Sequence, residues 1–223
     1  MLKIFKDNLF FFIPFLIFIT IGFILLFTTQ QGVAILFFSD NRTVFGDLFF
    51  KIGTKLGEDF AYAFFIILFL FIRFRYAILV LLTGSVVTIV SYILKEFFRH
   101  PRPKTFFSEK ALLDEINVVD GISLLSAYTS FPSGHTMSAF ALYGIVAFIF
   151  PKKHIGLLMI SLAIVIGISR IYLVQHFTKD VIFGAILGVL IAMALFYANS
   201  LLKTDARQWF DQSIPNLRRK NTV

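Results

Sequence analysis

The feature that most limits how this chain can fold is its set of long stretches without a charge. Residues 9–27, 76–94 and 181–202 contain no Asp, Glu, Lys or Arg. Each approaches the roughly 20 residues that a helix needs to cross about 30 Å of hydrocarbon. Residues 133–151 form a fourth run with His135 near its start, and 155–169 a fifth that is expected to continue past Arg170 to about Val174. The shortest run, 60–72, spans only if its helix begins at Glu58 and Asp59. In lipid every backbone polar group must be satisfied within its own segment, so continuous apolar runs predict helices; barrel strands would alternate. The expected architecture is an all-α integral membrane protein, a six-transmembrane-helix bundle in a single domain over residues 1–223.

Composition points the same way. The chain is 58% hydrophobic and 15% charged, with 31 Phe and a mean hydropathy of +0.84. A soluble domain lies near 45–50% apolar and about 25% charged. Soluble globules, disordered chains, coiled coils and collagens are thereby excluded. With no Cys, disulfides, thiolate metal sites and thiol catalysis are excluded too. The net charge of +8 reads as basic residues flanking apolar spans and meeting anionic headgroups, so no nucleic-acid partner is expected. The run after Lys3 and Lys6 is too long for a signal-peptide core of about 7–15 residues and reads as a retained first helix. No internal repeat and no signal for an oligomer is visible.

Six spans place the N-terminus, the Arg73/Arg75 turn, the Lys152-Lys153 turn and the tail with Lys203, Arg207, Arg218, Arg219 and Lys220 on one side. That side holds eleven basic residues in very short connections. The other ten are dispersed over longer loops with ten acids. The positive-inside rule then puts both termini in the cytoplasm and the loops near 28–59, 96–132 and 170–180 outside. Residues 44–52 mix Phe with charge and predict an interfacial helix. Trp209, Phe210 and Arg218-Arg219-Lys220 resemble an interfacial anchor with a basic tail.

Charges at membrane depth are costly and mark function by default. Three clusters occupy the outward helix ends: Lys95 with Arg99-His100-Pro101-Arg102-Pro103; Phe131-Pro132-Ser133-Gly134-His135; and Ser169-Arg170 with His176 and Asp180. Lys95, Arg102 and Arg170 lack an adjacent run of acids, so a phosphate is their natural shared partner. Pro132-Ser133-Gly134 leads into a helix, whose free N–H groups favour an anion. His176 and Asp180, four apart, would share a helical face; the carboxylate could then hold one imidazole nitrogen and leave the other free to attack. His135 is a second imidazole, available as a proton donor. Taken singly, each feature has an ordinary structural reading, such as an interfacial anchor or a helix-supporting pair, and His100 and His154 keep that reading. Convergence of the three clusters on one membrane side carries the argument.

These residues resemble the type-2 phosphatidic acid phosphatase family. Its signature is Lys-x6-Arg-Pro, Pro-Ser-Gly-His and Ser-Arg-x5-His-x3-Asp. The chain matches all three in order, at Lys95 to Arg102-Pro103, Pro132 to His135, and Ser169-Arg170 with His176 and Asp180. The match lies within 95–180. The resemblance implies a membrane phosphatase with its site near the outer water boundary. His176 would attack phosphorus, Asp180 would orient it and His135 would protonate the leaving oxygen. Lys95, Arg102, Ser133, Gly134 and Arg170 would bind phosphoryl oxygens, with no metal and no other cofactor. The implied substrate is a membrane lipid phosphate: undecaprenyl pyrophosphate, phosphatidylglycerophosphate, phosphatidic acid or a lipid A phosphate. Transfer to another lipid or a sugar is an alternative outcome of the same chemistry. A transporter fits less well, because the charges sit at helix ends and no inverted repeat is seen. Selectivity is expected in 28–59 and 104–131, with Lys104, Lys110 and the nearby Arg99 as candidates to touch a second phosphate or a sugar, or else solvated loop charges, and Tyr128 and Phe131 as candidates to pack near the acyl or glycerol region. The resemblance and the small size point to a bacterial inner membrane.

Overall fold

The computed structural model describes residues 1–202 and 209–216. Among these residues the ordered elements are all helical. In chain order they are α1 (Leu2–Asp7), α2 (Leu9–Thr28), α3 (Val33–Asp40), α4 (Val44–Gly53), a 3₁₀ turn (Thr54–Gly57), α5 (Asp59–Leu70), α6 (Phe74–Phe98), α7 (Pro103–Glu109), α8 (Gly134–Ile149), α9 (Lys153–Tyr172) and α10 (Thr178–Leu201). Two further short 3₁₀ turns lie at Leu113–Glu115 and Trp209–Asp211. The basic tail residues Lys203, Arg207, Arg218, Arg219 and Lys220 lie outside the described residues.

Four helical segments are long and apolar enough to cross a membrane: α2, α9, α10 and the segment opening at Phe74 that contains α6. The chain is a multi-pass membrane protein. The apolar helices α5 and α8 are shorter, at 12 and 16 residues, or about 18 and 24 Å at 1.5 Å per residue. The helices end where the backbone chemistry requires. Arg99 closes α6 in a left-handed conformation (φ 46°), ahead of His100-Pro101, and a residue preceding proline disfavours helix. Phe150, before Pro151, closes α8 for the same reason.

The core forms around α8. Every residue from Met137 to Phe148 except Ser138 is buried, as expected of a helix that is apolar all round. By contrast α2, α6 and α10 keep Ile17, Ile21, Leu81, Ile89 and Leu190 exposed on their outer faces, the pattern of helices that meet lipid. Between α8 and α10 the backbones touch. A Cβ on Gly188 would lie 2.5 Å from the Met137 carbonyl oxygen, and one on Gly184 would lie 2.8 Å from that of Ser133. Hydrocarbon gives two helices no hydrophobic reason to associate, so close van der Waals packing through small residues must do it.

The expected helix over 44–52 is present as α4. It exposes Val44, Phe45, Leu48, Phe49 and Ile52 and is fastened from its other face. There Asp47 accepts from Arg42 (3.0 and 2.6 Å) and from the Tyr172 hydroxyl (2.7 Å). At the start of α6, Arg75 grips Asp211 with two bonds of 2.7 Å, and Phe74 N–H donates to the Gln212 carbonyl at 2.9 Å. This clasp seats the 209–216 segment on the α5–α6 turn.

Gly188→Ala is expected to force α8 and α10 apart. Overpacking of this kind costs about 1–3 kcal/mol. Thermal unfolding in detergent micelles should show a lowered Tm.

Candidate active site

Three chain segments meet at the start of α8. Ser133 is its N-cap: its Oγ accepts from the Thr136 N–H (3.4 Å) and the Thr136 hydroxyl (2.9 Å). The Ser133 N–H donates to the Asp180 carbonyl at 3.0 Å, which joins the beginnings of α8 and α10. Lys95, in the last turns of α6, brings its Nζ to 3.4 Å from where a Gly134 Cβ would stand. A side chain at 134 would therefore crowd the ammonium. Arg102 precedes α7 and is buried. Its Nε donates to Thr129 Oγ1 (3.2 Å) and a terminal nitrogen to the Gln175 carbonyl (3.4 Å), one residue from His176. Arg170, near the end of α9, is buried and donates to Thr54 Oγ1 at 2.6 Å, while its Nε has no partner. Its carbonyl accepts from the N–H groups of Gln175 and His176 (2.9 and 3.1 Å). Lys95, Arg102, Arg170 and His176 all lie within electrostatic reach of His135. The fold thus brings together all eight residues singled out in the sequence.

Burial of Arg102 pulls its guanidinium below the ordinary arginine range. Burial also pushes the His176 imidazole down to about 4, with Arg102 and Arg170 adding to the effect and Asp180 opposing it. His176 is therefore neutral at pH 7.

The pairing of His176 and Asp180 differs from the expected common helical face. α10 begins at Thr178, so His176 lies in the preceding turn. The cause is local: Asp180 Oδ2 accepts from the Phe177 N–H at 2.9 Å and caps the helix there. The same oxygen accepts from Ser130 Oγ at 2.5 Å. His176 Nδ1 stands 3.6 Å away, beyond hydrogen-bond length. Both Nδ1 and Asp180 Oδ1 are buried without a partner. This orientation turns Nδ1 toward the carboxylate and leaves Nε2 outside that contact.

Sequence reasoning missed five residues. Ser130 holds Asp180, Thr54 holds Arg170, and Thr129 and Gln175 hold Arg102. Glu58 Oε1 stands 3.8 Å from His135 Nε2. Ser130 could have been suspected from its place two residues before Pro132, but Thr54 is 116 residues from its partner and carries no sequence signal. His100, read as structural, accepts at Nδ1 from Lys179 (3.4 Å), stacks on Phe98 and meets Phe131 edge-on. Of the selectivity candidates, Arg99 pairs with Glu96, Lys110 covers the Phe106 ring, and the Tyr128 hydroxyl donates to Glu109. Each already has a partner on the protein. Among the described residues no three His, Asp or Glu side chains are placed to share a metal ion.

From the site a groove of about 1060 Å³ runs down between α5, α6 and α8. Lys95, Gly134 and His135 stand at its head, and Tyr62, Leu81, Gly84 and Val87 line its length.

The PAP2 superfamily profile matches residues 75–203, more than half of the chain. A Bacillus subtilis protein named phosphatidylglycerophosphatase B is 38% identical over 100 residues, 41% of this chain and 43% of that protein. The crystal structure of Aquifex aeolicus LpxE aligns with a TM-score of 0.64 at 27% identity, over 76% of this chain and 96% of that one. That of a transmembrane PAP2-type phosphatidylglycerolphosphate phosphatase from Bacillus subtilis aligns with a TM-score of 0.60 at 25% identity, over 89% and 98%. The chain spans about a third to just over half the length of the curated relatives it matches first.

The depressed His176 makes stability pH-dependent. The unfolded chain takes up this proton near the ordinary histidine value of about 6.5, the folded chain only near 4. Stability is therefore full above about pH 6.5 and falls as the pH drops toward 4, by about 3 kcal/mol from this residue. His176→Gln should flatten that part of a Tm-against-pH curve.

Proposed function

The chain belongs to the PAP2 superfamily, and on that footing we propose that it is an integral-membrane phosphatase that hydrolyses the phosphomonoester or pyrophosphate headgroup of a lipid. One observation carries this reading. Three cations, Lys95, Arg102 and Arg170, lie within electrostatic reach of His135 at the N-terminus of α8, and two of them, Arg102 and Arg170, also reach His176. No carboxylate neutralises Arg102 or Arg170 at hydrogen-bond distance among the described residues. A bound phosphoryl group would supply that charge.

The proposed reaction has two steps. The His176 Nε2 lone pair forms an N–P bond. The P–O bond to the lipid breaks with its electrons on oxygen, and that oxygen takes a proton from His135. Asp180 faces Nδ1 and balances the positive phosphohistidine. Water then attacks phosphorus, its proton passes to neutral His135, and the N–P bond breaks to free inorganic phosphate and His176. Throughout, Lys95, Arg102, Arg170, the Ser133 hydroxyl and the Gly134 N–H hold the equatorial oxygens. Phosphoryl transfer asks mainly for this positioning and charge stabilisation. Fixed donors need no reorganisation at the moment of reaction.

In the membrane we propose a six-span bundle with α5 and α8 as its short inner spans and α4 lying in the interface. Both termini are cytoplasmic, and the site opens at the periplasmic face of a bacterial inner membrane. The groove between α5, α6 and α8 takes the lipid tail. Names and titles of the relatives put the substrate among phosphatidylglycerophosphate, undecaprenyl diphosphate and lipid A 1-phosphate.

Purified protein supplied with ³²P-labelled lipid phosphate is expected to release inorganic phosphate and, on quenching, to carry acid-labile, base-stable label. His176→Ala should lose both, and label retained in that variant would remove the proposed nucleophile. Arg170→Met should cost about 10²–10³ in kcat, as for other single charge stabilisers. Gly84→Leu, which would project beside Tyr62, should raise KM for long-chain lipid phosphates and leave short-chain ones within about threefold, the size of a minor contact change.

A further inference from the structure

Glu58 takes the N-cap position of α5, yet its side chain caps nothing there. Its carboxylate turns instead to His135, 3.8 Å from Nε2, where both side chains are partly open to the groove. The turn that presents Glu58 is held at two points, one of them in the site. Thr54 takes a bond from Arg170 (2.6 Å), and the Leu56 carbonyl takes one from the Tyr143 hydroxyl (2.8 Å) on α8. Glu58 is thus fixed against the helix that carries His135.

The charges around His135 make this position consequential. Facing it are Lys95 from α6, Arg102 from the segment before α7, Arg170 from α9 and His176 from the turn before α10. Each of the three cations opposes protonation of an imidazole. Asp180 is committed to Ser130, Phe177 and the His176 side. On the groove side Asp59, Tyr62 and Tyr92 also line the cavity; the Tyr62 hydroxyl is spent on the Ser138 carbonyl. Among the described residues the carboxylate in ion-pair contact with His135 is that of Glu58.

We infer that Glu58 is a positioning residue that keeps His135 in its proton-donating form. A phosphate site needs cations, and the same cations strip the general acid of its proton. One carboxylate, 3.8 Å from the imidazole, offsets this. Glu58 stays ionised through both steps; the proton that leaves His135 for the lipid oxygen returns from the attacking water. The inference rests on the reading of His135 as general acid given above.

The test compares hexadecyl phosphate, a poor leaving group that needs a proton, with 4-nitrophenyl phosphate, which leaves without one. Glu58→Gln is expected to lower kcat/KM for the alkyl ester about tenfold and to move the alkaline limb of its pH profile about one unit lower. With the nitrophenyl ester the loss should stay within about twofold, because no acid is required. Glu58→Asp should restore part of the alkaline limb. Equal losses on both substrates, with the limb unmoved, would overturn the inference. His135→Ala separates the two levels of the argument. If it spares the nitrophenyl ester while Glu58→Gln does not, Glu58 alone is misassigned. If His135→Ala damages both esters equally, the general-acid reading fails and the inference falls with it.

Discussion

Two backbones in contact underlie the rest of this molecule. Gly184 and Gly188 let α10 lie against the carbonyls of Ser133 and Met137, and at that separation the Ser133 N–H reaches the Asp180 carbonyl. The bond ties the first turn of one helix to the first turn of another. Everything reactive hangs from that junction. Ser130 reaches Asp180 from one side, the turn carrying His176 closes against it from the other, and His135 rises from the next residues of α8. A wider contact would separate the dyad from the helix N-terminus and dissolve the site without touching a single polar side chain.

The second constraint is electrostatic. Arg102 and Arg170 are buried beside Lys95, and each is held by hydroxyls or carbonyls, at Thr129, Gln175 and Thr54. Neutral acceptors fix direction without cancelling charge. Pairing with carboxylates would have made the cluster cheaper to fold and useless for gripping an anion, because the partner's place would be taken. The cost is borne by the packed frame around α8, and the unpartnered Arg170 Nε is one visible part of it.

What was legible in the sequence follows from what is local. Absence of charge over some twenty residues can be counted along the chain, so α2, α6, α9 and α10 were visible, with ends within a few residues. The limits of α5 and α8 were harder, because 12 and 16 residues fall short of a full crossing. The segments around Lys95, Ser133 and His176 could be named because each keeps its own spacing. Their supports could not. Thr54 meets Arg170, Tyr143 meets Leu56 and Glu58 meets His135 only through the packing of separate helices. A common helical face for His176 and Asp180 follows from their four-residue spacing only inside a helix, and α10 takes in Asp180 but not His176. The Asp180 carboxylate starts the helix at its own first turn and leaves His176 in the turn before.

The clasp at Arg75 and Asp211 lies on the same helix as Lys95, twenty residues away, or about 30 Å along α6. That is the thickness of a hydrocarbon slab. An ion pair that resists entering oil at one end and an ammonium that does so at the other make α6 a ruler with a stop at each tip. It can neither sink nor rise without drowning a charge. The height at which the molecule floats is thereby registered at both tips of one helix.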